Sequence, residues 1–315
     1  VLFMANNKEY TKEELLDLYE KPLEELIELS HEITIENFDN NVEACSIISA
    51  KTGACSENCK YCAQSKHNHA EIECHPLLDV ETVKKAALSA KENGATRFCI
   101  VTSGRVPTGS DFEKILEMIK EVASIDGIHC CASLGLLSEE QVKQIKEAGV
   151  ERYNHNINTS EHYHNHICTT HNFEDRVNTV KMVKKYGMEA CCGVIIGMGE
   201  SREDRIEMAL SLRQLNPKTV PINFLNPIKG TPLEDYEDKI SEEEILKTIC
   251  IFRLALPKSL LRYAGGRTTR LSKYNQKLGI IAGINSLLVG NYLTTTGSKS
   301  EEDKEMLKSL DLVMN

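Results

Sequence analysis

Eight short apolar, β-rich runs alternate with amphipathic helical stretches along the chain. This alternation limits the fold more than any other feature. The runs lie at 45–50, 97–102, 128–133, 152–157, 190–195, 220–225, 260–264 and 286–289. A helix between successive strands returns the chain to the same end of a sheet, so parallel pairing is expected. Eight such units predict an α/β fold, a single TIM-type (β/α)8 barrel. An open doubly wound sheet is the alternative, but no GxGxxG follows the first strand. Helix starts are marked by Ser110–Glu113, Ser138–Gln141 and Ser241–Glu244, which fit the capping box. Gly94, Gly149 and Gly187 stand where helices should end in a left-handed residue. A helical stretch over 11–30 precedes the first strand. Residues 1–40 therefore read as an N-terminal helical extension and 41–315 as one barrel domain. In such barrels the active site lies at the C-terminal ends of the strands.

Lys plus Arg number 37 and Asp plus Glu 47, a net charge of −10, which argues against non-specific nucleic-acid binding. No stretch approaches the roughly 18 apolar residues of a membrane span. The first residues lack the apolar segment of a signal peptide, so a cytoplasmic location is expected. The chain carries 12 cysteines. In a reducing compartment so many thiols point to metal ligation or redox chemistry rather than a disulfide framework. They do not form the paired CxxC of a structural zinc ribbon.

Cys55, Cys59 and Cys62 form a C-x3-C-x2-C loop after the first strand. A four-iron cubane wants four ligands, so three thiolates leave one iron open to a small molecule. A zinc loop is the plainer alternative. Cys99, the doublets Cys130–Cys131 and Cys191–Cys192, and Arg262 fall inside later strands. Side chains alternate across a strand, so one member of each doublet can enter the barrel. Three thiols converging there would make a second metal site, although buried cysteine is also an ordinary small apolar residue. Cys45, Cys74, Cys168 and Cys250 are read as packing or incidental. His67, His69, His155, His162, His164, His166 and His171 are read mostly as solvated loop residues.

The run C-x3-C-x-Tyr-C directly after a first barrel strand resembles the radical S-adenosylmethionine superfamily. The resemblance implies that the open iron of a 4Fe–4S cluster binds the amino and carboxylate groups of S-adenosylmethionine. An electron from the cluster then releases a 5′-deoxyadenosyl radical, with Tyr61 near the adenine. Over nearly the whole chain, CSENCKYCAQS, TRFCIV, CASLGLL, RYNHNINTS, GVIIGMGE, VPINFLNPIKGTPL, RYAGGR and AGINSLLVGNYLTT resemble the biotin synthase family, in its order. That implies a 2Fe–2S cluster held by Cys99, Cys131, Cys191 and Arg262, which gives sulfur to dethiobiotin. Cys131 is selected by the family's C-x-(S/T)-L-G, and Cys191 by its place two residues before Gly193. Arginine normally stays protonated, so Arg262 supplying charge and hydrogen bonds to the sulfides is the alternative to ligation. Arg97 is expected to support the same cluster beside Cys99.

By the same resemblance Asn156 and Asn158 face the nucleoside, and Asn156 and Asn223 the substrate's ureido ring. Ile195 and Gly197 seat the adenine, and Ser103 meets the methionine end. The resemblance further implies an electron donor such as flavodoxin or ferredoxin, and a homodimer. Two rivals differ in what they require. A related maturase or mutase need not keep Cys99, Cys131, Cys191 and Arg262 together. A non-enzymatic iron–sulfur carrier needs neither GVIIGMGE nor RYNHNINTS.

Overall fold

The computed structural model describes residues 8–236, 240–290 and 299–315. Its strands are β1 (Asn41–Lys51), β2 (Arg97–Thr102), β3 (His129–Ser133), β4 (Arg152–Asn154), β5 (Glu189–Cys191), β6 (Val194–Ile196), β7 (Thr219–Phe224), β8 (Leu260–Tyr263), β9 (Ser286–Leu288) and β10 (Val313–Met314). Every pairing between them is parallel, and β9 pairs back onto β1, which closes the barrel. The short β10 runs beside the start of β1. The helices are α1 (Lys12–Tyr19), α2 (Leu23–Asn37), α3 (Val80–Glu92), α4 (Gly109–Ala123), α5 (Glu139–Ala148), α6 (Glu161–Ile167), α7 (Phe173–Lys185), α8 (Arg202–Leu215), α9 (Glu242–Ala255), α10 (Arg267–Arg270), α11 (Lys273–Ala282) and α12 (Ser300–Lys308). The closed (β/α)8 architecture expected from the alternation is the one present. Among the described residues no helix is long and apolar enough to cross a membrane.

The fifth barrel strand is broken into β5 and β6. Cys192 donates its N–H to Thr219 O at 3.0 Å. The next rung would need an N–H from residue 221, which is proline and has none. Gly193 fills the break: a Cβ there would stand 1.9 Å from the carbonyl oxygen of Pro221. Asn158 and Val194 form an isolated parallel bridge just beyond.

The helical stretch expected over 11–30 is two helices. Pro22 cannot donate into a continuing helix and instead caps α2, which runs on to Asn37. Both helices lie outside the barrel, α1 against α8 and α9, α2 against α9 and α11. Their cover explains why α9 is buried from Ile245 through Ala255, with no solvated stripe. The Tyr19 hydroxyl meets Thr248 at 2.8 Å, and Lys247 donates to Tyr19 O at 3.0 Å.

Of the three expected capping boxes, Ser138 with Gln141 is complete. Ser241 accepts the Glu244 N–H, but the Glu244 carboxylate goes to Arg202 and Arg205 instead. Helix α4 starts earlier than the Ser110 box implies. Its N-cap is Thr108, so Ser110 sits within the first turn. Gly94, Gly149 and Gly187 have φ of +94°, +122° and +77°. The segment NYLTT, at 291–295, lies outside the described residues.

Gly193→Ala should destabilise the chain by about 1–3 kcal/mol, because the added methyl must push against backbone rather than a mobile side-chain end. Urea unfolding of the reduced protein against wild type checks this; an unchanged midpoint would show that the strand break can widen freely.

Candidate active site

The strand alternation sends one set of side chains inward. Cys45 on β1, Cys99 on β2, Cys131 on β3, Cys191 on β5 and Arg262 on β8 all line one cavity of about 380 Å³. Cys99 and Cys131 are direct register partners. Cys130 and Cys192 face the other way, into the apolar layer between strands and helices. Cys45, read from sequence as packing or incidental, is buried among the strand thiols, clustered with Cys99 and Cys131. Its signal in the sequence was its position two residues from Ile47 on the inward face of β1.

Burial pushes the Cys131 thiol up to about 11 and raises Cys45, Cys99 and Cys191, while Arg262 works against that rise. Such thiols keep their protons until a soft metal displaces them. Four thiols are the complement that iron–sulfur clusters want. The nearby guanidiniums suit the negative charge of such a group: Arg262 Nη1 lies 3.7 Å from Cys191 Sγ, and Arg97 Nη1 lies 4.0 Å from Cys131 Sγ. Arg97 was expected beside Cys99; its long side chain instead crosses to the neighbouring strand.

One carboxylate is shared by these cations, and Glu189 also pairs with Arg152 at 2.8 Å. Glu43 on β1 accepts from Arg97 at 2.8 Å, Arg152 at 2.9 Å and Arg262 at 3.0 Å, with the Ser286 hydroxyl at 3.3 Å. Burial alone would raise its pKa, but Arg152, Arg262 and Arg97 overcome this and hold it at about 2.

Cys55, Cys59 and Cys62 lie on the loop after β1. Backbone bonds from Cys55 to Gln64, Lys66 to Cys55 and Cys62 to Cys59 fold it tightly. Cys62 and Tyr61 line the same cavity as the strand thiols. Cys59 does not. Its sulfur lies within 4.8 Å of Cys168 Sγ and a His171 ring nitrogen, which form the one such ligand group among the described residues. Proximity of the two sulfurs raises the Cys59 pKa and lowers that of Cys168. Cys168, read from sequence as packing or incidental, is buried against the loop, and one sequence reading is corrected: His155, His164 and His171 are buried rather than solvated. The reason is a tertiary contact: the segment after α6 folds over the loop and covers it.

Tyr61, Asn156, Asn158, Ile195 and Asn223 all line the cavity. Asn158, at φ +66°, donates to the Tyr61 hydroxyl at 2.7 Å. Asn156 Oδ1 accepts from Gly193 N at 2.9 Å. Both ends of the Asn223 amide hold backbone, through Gly265 N and Val194 O. Ser103 and Gly197 are not among the lining residues. The Ser103 hydroxyl is spent on Gly53 O at 2.7 Å, and Gly197 serves the turn that Glu200 caps. Asn154, which sequence reasoning passed over, and His155, which it read as solvated, also line the cavity. Burial drives the His155 pKa well down, and its Nε2 has no hydrogen-bond partner among the described residues. A neutral, buried ring nitrogen at a cavity wall fits a polar ligand. The run Asn-His-Asn at the end of β4 was the available signal.

Fold and site together define a barrel enzyme of the radical S-adenosylmethionine class. The Radical SAM superfamily profile matches residues 50–212, and the Biotin and Thiamin Synthesis associated domain matches 221–313. The chain is 48% identical over 304 residues to the biotin synthase of Acetivibrio thermocellus, covering 96% of this chain and 94% of that protein. It is 46% identical over 297 residues to that of Clostridium tetani, covering 94% and 90%. The chain belongs to the biotin synthase family of the Radical SAM superfamily. Among solved structures, methylornithine synthase superposes with a TM-score of 0.84 at 21% identity, covering 98% of this chain and 95% of that one. The FeFe-hydrogenase maturase of Carboxydothermus hydrogenoformans gives 0.84 at 17%, covering 98% and 76%. At those identities the likeness concerns the fold alone.

Glu43→Gln should cost about 3–5 kcal/mol at neutral pH, since it leaves three guanidiniums facing one another without their shared carboxylate. Wild-type Glu43 falls from the ordinary 4.5 to about 2, so its contribution is complete above pH 4.5 and is lost as pH drops toward 2. The stability gap between variant and wild type, measured by urea unfolding, should narrow below pH 4.5. A gap that stays constant with pH would contradict the role of the charge.

Proposed function

We propose that the thiol-lined cavity is the chamber in which sulfur is inserted into dethiobiotin, the reaction of the biotin synthase family. The observation that carries this is the shared cavity. Cys62 and Tyr61 of the loop open onto the same space as Cys99, Cys131, Cys191 and Arg262. A radical formed at the loop and a sulfur held by the strands must reach one substrate, and this geometry brings both to it. Cys55, Cys59 and Cys62 would hold a 4Fe–4S cluster with S-adenosylmethionine on its open iron. Cys99, Cys131 and Cys191 would hold the sulfur-donating cluster, with Arg262 as ligand or hydrogen-bond donor and Cys45 as a fourth thiol within reach. When bound, these groups supply the electron that opens the sulfonium and the sulfur that enters the product.

The chain's own part is positioning and shielding. Apolar walls from Ile47, Val101, Ile195 and Leu288 keep water from a reactive radical. Tyr61, steadied by Asn158, forms a flat polar-edged seat for a nucleoside. Asn154, His155 and Asn156 offer amide and imidazole groups suited to ribose hydroxyls and a cyclic urea. Arg97, Arg152 and Arg262 keep positive charge fixed beneath the thiols. The acidic chain, an electron donor such as flavodoxin or ferredoxin, the cytoplasmic location and a homodimeric state complete the proposal.

Anaerobic incubation of the reconstituted chain with dethiobiotin, S-adenosylmethionine and a reductant should yield biotin by mass detection; 5′-deoxyadenosine without biotin would refute the reading. Cys131→Ala removes a strand ligand and leaves the loop set intact. It should abolish biotin while still forming deoxyadenosine in the presence of dethiobiotin. Cys45→Ser distinguishes ligand from neighbour. If Cys45 binds iron, iron and sulfide per chain should fall, whereas a packing role leaves both counts unchanged.

A further inference from the structure

The loop that carries the expected cubane ligands is stitched to a distant segment around one pair of thiols. Lys60 N donates to Ile167 O at 3.0 Å, which sets Cys59 and Cys168 on either side of a single backbone bond. Beside them Asn58 N donates to Thr170 Oγ1 at 3.1 Å and Asn58 Nδ2 to Thr169 Oγ1 at 2.7 Å. Asn58 Oδ1 in turn accepts from Thr169 N at 2.9 Å. Inside this clasp the two sulfurs lie within 4.8 Å of one another. Cys168 belongs to neither ligand set of the proposed function.

His171 completes the cluster of donor atoms, yet its hydrogen bonds oppose a metal. Arg176 Nε donates to His171 Nε2 at 2.8 Å, so the ring proton is on Nδ1, where Glu57 accepts it at 2.6 Å. The nitrogen facing the thiols therefore has no lone pair to offer, and a metal ligand must be a bare imidazole nitrogen. What remains is a pair of buried thiols held in register.

We propose that Cys59 and Cys168 form a reversible intramolecular disulfide in the cluster-free chain, and that this bond withholds Cys59 from iron. A low-molecular-weight disulfide is the oxidant. One cysteine attacks it to give a mixed disulfide and release one thiol. The second cysteine then displaces the other half, giving the Cys59–Cys168 bond and a second thiol. Two protein thiols are oxidised and one disulfide reduced. A dithiol reverses both steps. The sulfurs start within 4.8 Å of one another, and closing to the roughly 2 Å of a disulfide brings them together inside the clasp. The withholding step rests on Cys59 being a loop ligand; the bond itself rests on the clasp.

The test treats the reduced, cluster-free chain with oxidised glutathione, blocks remaining thiols with N-ethylmaleimide, and digests with trypsin. The peptide 153–176 contains Cys168 as its one cysteine, and 52–60 contains Cys55 and Cys59. A linked pair of these peptides, with fragmentation placing the bond at Cys59, is expected. The oxidised chain should take up less iron at the loop on anaerobic reconstitution, and dithiothreitol should restore it. Cys168→Ser should load iron whether or not it was pre-oxidised. Absence of the link, or a bond from Cys55 to Cys62 in its place, overturns the proposal. A complete link with full iron uptake overturns the withholding step. Cys59→Ser, reconstituted without any oxidation, separates that result from the functional reading: normal loop iron in this variant removes Cys59 from the ligand set itself.

Discussion

The Glu43 carboxylate is the interaction on which the interior of this barrel depends. Arg97, Arg152 and Arg262 come from β2, β4 and β8, and Ser286 comes from β9; all meet one side chain on β1. Three guanidiniums in a buried space would repel one another strongly in low dielectric. The one anion that all three share, itself held ionised by them and joined on Arg152 by Glu189 at 2.8 Å, turns that repulsion into a tie across five strands. The tie also fixes where the positive charge points. Arg262 reaches toward Cys191 and Arg97 toward Cys131, so the thiols lie above a positive floor ready for an anionic cluster.

Above this floor the chemistry is arranged by alternation. Inward positions carry thiols and outward positions carry the apolar layer under the helices, so Cys131 and Cys130, or Cys191 and Cys192, do different work although adjacent. The loop after β1 brings Cys62 and Tyr61 over the open end of the same cavity. On the proposed reading, the loop thiols and the strand thiols are separate ligand sets that open onto one cavity.

Cys59 departs from this division. The segment after α6 closes over the loop through Asn58, Thr169 and Thr170, and draws the thiol to Cys168. The loop is therefore held in place by contacts nearly 110 positions away in the chain, which also bury His164 and His171. A C-x3-C-x2-C spacing says that three thiols can converge; it does not say which of them a neighbouring segment has engaged.

The sequence by itself determined the barrel, since eight strand–helix alternations leave few closed solutions. It also determined the thiol loop, whose motif is local, and that one thiol of each doublet must point inward; the family resemblance, not the strand period, singled out Cys131 and Cys191. Local rules missed the break at Pro22 and the run of α2 on to Asn37, and they placed the start of α4 late. What the tertiary structure alone decided were the meetings between strands and loops far apart in sequence. These are Cys45 among the strand thiols, Glu43 under three arginines, Arg97 crossing to Cys131, Ser103 spent on Gly53, and Cys168 against Cys59. Each depends on which residues barrel closure brings face to face, and closure is a property of the whole sheet rather than of any one segment.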